Sequence, residues 1–273
     1  MKVRIDANTY YLPEQKESNE ILKLENPDWD MGKISDKTGI FTRSISSDNQ
    51  TALDLAFEAG SRLINEISSK DDIDFVVLVT QSPDYVLPTS ACILQNRLDL
   101  PKECMSFDIN LGCSGFIYGL SVVGSLIESG VIKKGLMLCS DTYSKYIDKN
   151  DRTCRPIFSD GASATLLVKS DIDEIGPFVF GTDGAGYDKL IVKEGGAREP
   201  IIKSNSHNGS IDMHGADVFL FTLREVPISV NKLLSKSNLE IKDVDLFIFH
   251  QASKLVLENL TRALSLDKEK VFN

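Results

Sequence analysis

A cysteine and a histidine carry the chemistry for which this sequence can be read. Cys113 stands in Asp108-Ile-Asn-Leu-Gly-Cys-Ser-Gly-Phe-Ile-Tyr118, after the apolar run Met105–Ile109 and before a mostly apolar stretch from Ser114 to Glu128. That order predicts a strand, a tight turn bearing Gly112, and a buried central helix opening at the cysteine. Free N–H groups and the positive dipole end of a helix N-terminus favour a thiolate, so the thiol pKa is expected to fall from about 8.5. Gly112 and Gly115 leave room for backbone or substrate to approach the sulfur. A thiolate so placed is a nucleophile suited to forming a thioester. On this stretch alone the plainer reading also stands, because free cysteine is among the most buried residue types and often only fills space.

His250 follows the apolar run Leu246–Phe249, in Phe-His-Gln-Ala-Ser-Lys254. That is the strand end at which open α/β sheets place ligand-contacting residues. A lone histidine is more commonly structural, but an internal repeat links this one to the cysteine. Asp72-Ile-Asp-Phe-Val-Val-Leu78 matches Asp243-Val-Asp-Leu-Phe-Ile-Phe249, and Leu98-Asp-Leu-Pro-Lys-Glu-Cys-Met105 matches Leu264-Ser-Leu-Asp-Lys-Glu-Lys-Val271. Two copies of one α/β unit, with pseudo-twofold symmetry, bring the ends of corresponding strands to one crevice. A Cys–His pair assembled that way suits acyl transfer, the histidine acting as acid/base or hydrogen-bond donor. His207 and His214 lie in polar loop and helix-start contexts and are read as structural.

The elements that must position these residues follow from periodicity. Thr51–Ile67 has apolar residues at 52, 53, 55, 56, 59, 63, 64 and 67, an amphipathic helix. Phe75–Thr80, Leu136–Ser140 and Ala162–Val168 are continuous apolar runs, the pattern of buried strands flanked by helices. Ser18–Leu24 is a helix capped by Ser18, Ser90–Leu98 and Lys254–Leu264 are helical, and Ile211–Leu239 is helical with an interruption at Pro227. Val3–Ala7 is a short strand, and Asp141–Asp160 is a polar loop carrying Arg152 and Arg155. Gly181–Gly196 is glycine-rich loop; without a Gly-Lys-Ser/Thr or G-x-G-x-x-G pattern it is no phosphate cradle.

Composition narrows the function classes. The chain has 273 residues, 42% hydrophobic and 26% charged, with a net charge of −10. That is a globular composition with no basic block for nucleic acid. An acidic surface would need a local basic patch to dock a phosphate-bearing substrate. The start of the chain has no apolar signal region and no run is long enough to span a bilayer, so a cytoplasmic location with reduced thiols is expected. The five cysteines show no C-x-x-C pair and lie far from the three histidines, which argues against a zinc site.

Taken together, Asp108–Phe116, His250-Gln-Ala, Phe158-Ser-Asp-Gly-Ala-Ser-Ala164, Pro83-Asp-Tyr-Val-Leu-Pro-Thr-Ser-Ala91, Lys37-Thr-Gly-Ile40 and Lys145–Arg152 resemble 3-oxoacyl-ACP synthase III of the thiolase superfamily, collinearly over the whole chain. The resemblance implies an α/β fold, a thiolase-like duplicated five-layer α/β/α/β/α sandwich, with a nucleophile-bearing N-terminal half over 1–170 and a C-terminal half over 171–273. It implies a cytoplasmic homodimer with no dissociable cofactor. Cys113 would take an acyl group from acyl-CoA, and malonyl-ACP would then decarboxylate and condense with it. It also implies that His250 hydrogen-bonds the malonyl thioester oxygen and that the Cys113 backbone N–H serves the oxyanion hole. Lys37 and Arg152 would meet CoA, Phe219 would line the substrate channel, and Leu87 would close the acyl pocket across the dimer interface. A leucine at 87, smaller than an aromatic, would admit a longer or branched chain.

The repeat carries a further expectation. The first copy continues through the Cys113 turn, a helix and two more strands to about Val168, whereas the second copy reaches Asn273 ahead of its counterpart of that block. By repeat arithmetic, on the order of 40–60 residues would complete it, so the second half is expected to be incomplete. The family's third catalytic residue, an asparagine in a Gly-Asn-Thr turn, would fall in that block, as would a glycine-rich loop. Acylation of Cys113 is then expected without efficient condensation. The alternatives are a related superfamily acyltransferase, a polyketide or alkylquinolone-type synthase, or an inactive truncated fragment that keeps only binding surfaces.

Overall fold

In the computed structural model, residues 1–200 and 209–272 are described, so His207 and Asn273 lie outside the described residues. The chain forms two compact units. The first comprises Met1–Lys16, Ser44–Tyr143 and Ser159–Gly176; the second comprises Glu17–Arg43, Ser144–Phe158 and Pro177–Asn273.

The first unit is built on a five-stranded sheet. Its strands are β1 (Val3–Tyr11), β4 (Phe75–Val79), β5 (Met105–Ile109), β6 (Lys134–Asp141) and β7 (Gly161–Lys169), in the order β1-β7-β6-β4-β5. Strand β4 runs parallel to both β5 and β6, and β7 is antiparallel to β6 and β1. All five residues of β4 are buried, which is why its sequence reads as an unbroken apolar run. Helix α3 (Ala52–Glu66) lays Leu53, Leu55, Ala56, Ala59 and Leu63 into a core shared with Leu78, Leu94, Leu136 and Leu138. Each fully buried leucine is worth roughly 1.5–3 kcal/mol of transfer free energy. A capping box at Thr51 and Asp54 starts this helix.

Helix α4 (Ser90–Arg97) has no side-chain bond from its N-cap, Thr89. The carboxylate of Asp108, on β5, takes that role, accepting from Ser90 N at 2.7 Å and Ala91 N at 2.8 Å. Helix α5 (Gly115–Glu128) is less enclosed than its composition predicts. Gly119, Leu120, Val123 and Ile127 are buried, while Phe116 and Ile117 are 38% and 46% exposed, because nothing described here covers that face.

The second unit is mainly helical. Short strands β2 (Lys16–Ser18) and β3 (Thr42–Ser44) pair beside α1 (Asn19–Glu25) and α2 (Met31–Thr38), whose Leu22, Trp29 and Met31 form a small core. Ser18 caps α1, accepting from Ile21 N at 3.4 Å. The glycine-rich segment is not wholly loop: β8 (Leu190–Val192) pairs antiparallel with β9 (Ile211–Met213). Helix α6 (Gly215–Ser237) runs through Pro227 without interruption. A proline removes one N–H bond and crowds the preceding turn, which a long helix can absorb by bending.

The expected strand Leu246–Phe249 reduces to one parallel bridge, Phe247 to Val271. A ladder needs a partner of several residues, and opposite Phe247 the described partner is only Lys270 to Phe272. Helix α7 (Lys254–Ala263) follows, capped by Ser253.

The repeat is visible in backbone detail. Asp99 and Ser265, which the sequence alignment pairs, both adopt left-handed backbone, φ 53° and 52°. At each, the preceding leucine N–H returns to a leucine carbonyl four residues back: Leu98 to Leu94, Leu264 to Leu260. Then Leu100 bonds Gln95 and Leu266 bonds Thr261. The two helix ends are one motif written twice.

Candidate active site

Cys113 occupies the turn between β5 and α5, two residues ahead of the first helical residue. All five cysteines are free; Cys104 and Cys154 are buried, Cys92 and Cys139 half-buried, and Cys113 is exposed. Burial pushes the Cys104 thiol up to about 11 and those of Cys139 and Cys154 to about 12. These three are inert packing thiols.

The Cys113 thiol is also raised, against the lowering expected from the helix start. Desolvation by surrounding protein is the largest cause, its own backbone N–H pulls the other way, and the charge of Asp141 raises it further. Cys113 therefore presents surface to solvent while its sulfur is crowded by protein, as in a concave site.

Asp141, at the end of β6, accepts from Thr80 Oγ1 at 3.1 Å, Gln81 N at 2.8 Å and Ser82 Oγ at 2.8 Å. Burial holds its carboxyl above the usual range, with these bonds opposing. The network fixes the loop after β4 beside the Cys113 turn. Tyr143 Oη bonds Gln81 Oε1 at 2.5 Å, and a Cβ on Gly112 would collide with that glutamine oxygen and crowd the tyrosine hydroxyl. A Cβ on Gly115 would collide with Val79 Cγ1. The two glycines thus admit neighbouring side chains of this unit. Asp141, Gln81 and Tyr143 had no sequence signature, because they come beside the Cys113 turn only through the parallel pairing of β4 with β5 and β6.

Leu87 is also in the first unit. It is 80% exposed, between the 92% exposed Val86 and Pro88, and the Leu87–Pro88 peptide is cis.

The second unit holds the remaining candidates. His250 is exposed at the end of the Phe247–Phe249 segment, and desolvation lowers its pKa below 6.5. Lys37 is exposed in the last turn of α2. The C-cap of α2, Gly39, has φ 75°, and a Cβ there would lie 3.2 Å from Cβ of Lys254, the first residue of α7. Lys37 and His250 therefore flank one helix–helix contact. Arg152 is exposed on a turn whose Thr153 and Cys154 N–H groups are held by Asp151 Oδ1. A Cβ on Gly215, the first residue of α6, would lie 3.9 Å from Thr153, and half-buried Phe219 is one turn further on. His214 precedes α6, exposed, 3.7 Å from both Asp212 and Asp217. No helix among the described residues is long and apolar enough to cross a membrane.

Comparison with known proteins places this geometry. The sequence model of 3-oxoacyl-[acyl-carrier-protein (ACP)] synthase III matches residues 107–184, the stretch that holds Cys113. A beta-ketoacyl-[acyl-carrier-protein] synthase III of Clostridioides difficile is 33% identical over 270 residues, 96% of this chain and 80% of that one. The chain belongs to the 3-oxoacyl-[acyl-carrier-protein] synthase III family. A crystal structure of a 3-oxoacyl-(acyl-carrier-protein) synthase III superposes with a TM-score of 0.94 at 41% identity, covering 100% of this chain and 85% of that one. A 3-oxoacyl-(acyl-carrier protein) synthase from Burkholderia xenovorans gives 0.93 at 32%, covering 100% and 80%. The fold is accordingly the thiolase-like α/β fold of this synthase III family, and the family is one of condensing acyltransferases.

Proposed function

We propose that this chain forms 3-oxoacyl-ACP from an acyl-CoA starter and malonyl-ACP through an acyl thioester on Cys113. One observation carries the reading: of five free cysteines only Cys113 is exposed, and it sits in the β5–α5 turn inside the family-matched segment.

In the first half-reaction the Cys113 thiolate attacks the acyl-CoA carbonyl. A C–S bond forms to Cys113, the C–S bond to CoA breaks, and the leaving CoA thiolate takes up the proton that Cys113 lost. In the second, malonyl-ACP releases carbon dioxide and the electron pair of the broken C–C bond passes into an enolate. The enolate carbon attacks the acyl carbon, and the cysteine leaves as thiolate.

His250 donates a hydrogen bond to the malonyl thioester oxygen as enolate charge develops, commonly worth about 3–4 kcal/mol. Its lowered pKa supports this role, since a neutral ring keeps one N–H to donate at neutral pH. Lys37 and Arg152 meet the anionic end of CoA, and Phe219 lines the channel. Leu87 closes the acyl pocket of a second copy in a homodimer, where its small side chain admits longer or branched acyl groups. The steps use no dissociable cofactor and run in the cytoplasm.

Mass spectrometry after incubation with acyl-CoA tests the proposal. An acyl adduct on the wild type, absent from Cys113→Ala, is expected, followed by slow formation of 3-oxoacyl-ACP and carbon dioxide when malonyl-ACP is added. An adduct that persists in Cys113→Ala would sink it. Strong preference for acetyl-CoA over hexanoyl- to decanoyl-CoA would overturn the role given to Leu87.

A further inference from the structure

Within the second unit, the turn bearing Arg152 is tied to the segment bearing α1 and α2 by a network of ion pairs. Arg155 Nη2 lies 2.6 Å from both Glu17 Oε1 and Glu25 Oε2, the two ends of the segment carrying α1. Its Nη1 donates to Lys149 O at 2.7 Å, ahead of Arg152 in the same loop. The side chains of Arg155 and Glu17 are only 12% and 14% exposed.

Arg43, 1% exposed, lies on the other side of Glu17, its Nε 3.6 Å from Oε2. Its Nη1 donates to Asn19 Oδ1 at 2.7 Å and to Pro156 O at 3.3 Å. Asn19 in turn donates through Nδ2 to Ile40 O at 2.9 Å, just past the helix that carries Lys37. A path of hydrogen bonds, interrupted by the 3.6 Å Arg43–Glu17 ion pair, thus runs from the Arg152 turn through Arg155, Glu17, Arg43 and Asn19 to Ile40, just past α2.

The two kinds of cation differ in use. Arg155 spends its charge on Glu17 and Glu25. Arg152 and Lys37 are exposed, and among the described residues their side chains make no ion pair or hydrogen bond. A charged pair shielded from water holds geometry, whereas an exposed free cation is available to an anion.

We propose that Arg155 is a positioning residue for acyl-CoA: it clamps the Arg152 turn to Glu17 and Glu25, so that Arg152 and Lys37 meet the phosphate-bearing end of the substrate already ordered. The proposal rests on the reading of Arg152 as a CoA-binding residue, and it adds a residue that never touches the ligand. Preordering two flexible cations lowers the entropy lost on binding, so the effect belongs in substrate affinity and not in the chemical step.

The test measures acylation of Cys113 as a function of substrate concentration for the wild type, Arg155→Met, Glu25→Gln, Arg152→Ala and the double variant Arg152→Ala/Arg155→Met. Two donors are compared: acyl-CoA, and the acyl thioester of N-acetylcysteamine, which lacks the nucleotide and its phosphates. Arg155→Met is expected to raise the half-saturating acyl-CoA concentration about tenfold with a limiting rate within about twofold of wild type. It should leave acylation by the small thioester unchanged. Glu25→Gln, which spares the Glu17 bond, should shift the same quantity by a smaller factor. The double variant should fall below Arg152→Ala by less than Arg155→Met falls below wild type, because part of the Arg155 effect acts through Arg152 and only the part through Lys37 remains.

A loss of Arg155→Met activity with both donors would overturn the proposal by making the residue merely structural. Additive effects in the double variant would overturn it as well. If Arg152→Ala leaves the acyl-CoA curve unmoved, the reading of Arg152 fails and the clamp fails with it. Absence of any Cys113 adduct in the wild type would instead refute the proposed function.

Discussion

Tyr143 Oη bonds Gln81 Oε1 at 2.5 Å, across the side of Gly112 where any other residue would carry its Cβ. Residue 112 immediately precedes Cys113. The contact joins the residues after β6 to the loop after β4 beside the Cys113 turn.

Replacing Gly112 tests that geometry directly. Gly112→Ala must displace the end of the Gln81 side chain and its bond to Tyr143, with little cost to overall stability because that glutamine is exposed. Acylation of Cys113 is expected to fall at least tenfold, and pairing with Gln81→Ala, which removes the colliding oxygen, should restore part of it. No recovery in the double variant would show that the collision is not the cause. Thermal unfolding and adduct mass together report both effects.

Cys113 should alkylate slowly at neutral pH. Its raised pKa places the midpoint of the iodoacetamide pH–rate profile above that of an ordinary thiol. Asp141→Asn removes one of the charges that raises it, so the midpoint should move down while staying high, since burial is the larger cause. The same change disturbs a carboxylate accepting from Thr80, Gln81 and Ser82, and stability should drop by about 1–3 kcal/mol. An unmoved midpoint would remove Asp141 from the electrostatics of the site.

His250 separates the two half-reactions. His250→Ala is expected to leave acylation of Cys113 within about threefold and to lower condensation roughly 10²–10³-fold, the usual cost of one oxyanion donor. With a folded-state pKa below 6.5, the wild-type ring gains its proton only on the acid side of that value. Condensation should therefore be level around neutrality and fall as the pH drops below 6.5. Loss of acylation in His250→Ala would show that the histidine serves the first step instead.

Ser265 holds a left-handed backbone with φ 52° at the end of α7, where a side chain strains against the following carbonyl. Ser265→Gly should stabilise the chain by about 0.5–1 kcal/mol. At the matching position Asp99 the gain should be smaller, because its carboxylate also meets Lys70 Nζ at 2.6 Å. Equal gains at the two sites, measured by denaturant unfolding, would contradict the assignment of that ion pair.

Much of the architecture was legible without coordinates. The apolar run 75–79, the helical period of 52–66 and the repeated Leu-x-Leu helix ends are local patterns, and local patterns need only the sequence. The position of Cys113 in a strand–turn–helix was legible for the same reason, as a cysteine between a strand signal and a helix signal with glycines on both sides.

What the tertiary structure decided depends on residues distant in sequence. Burial of the Cys113 sulfur, with a smaller contribution from the charge of Asp141 on β6, reverses the direction of the pKa shift that a helix start alone suggested. The carboxylate that starts α4 comes from β5. Arg155, read from sequence as one more charge in a polar loop, becomes a clamp only because Glu17 and Glu25 fold back onto it. Residue type and spacing determined which groups could do chemistry; charge, burial and orientation at those groups follow from strand pairing and loop closure, which no local pattern encodes.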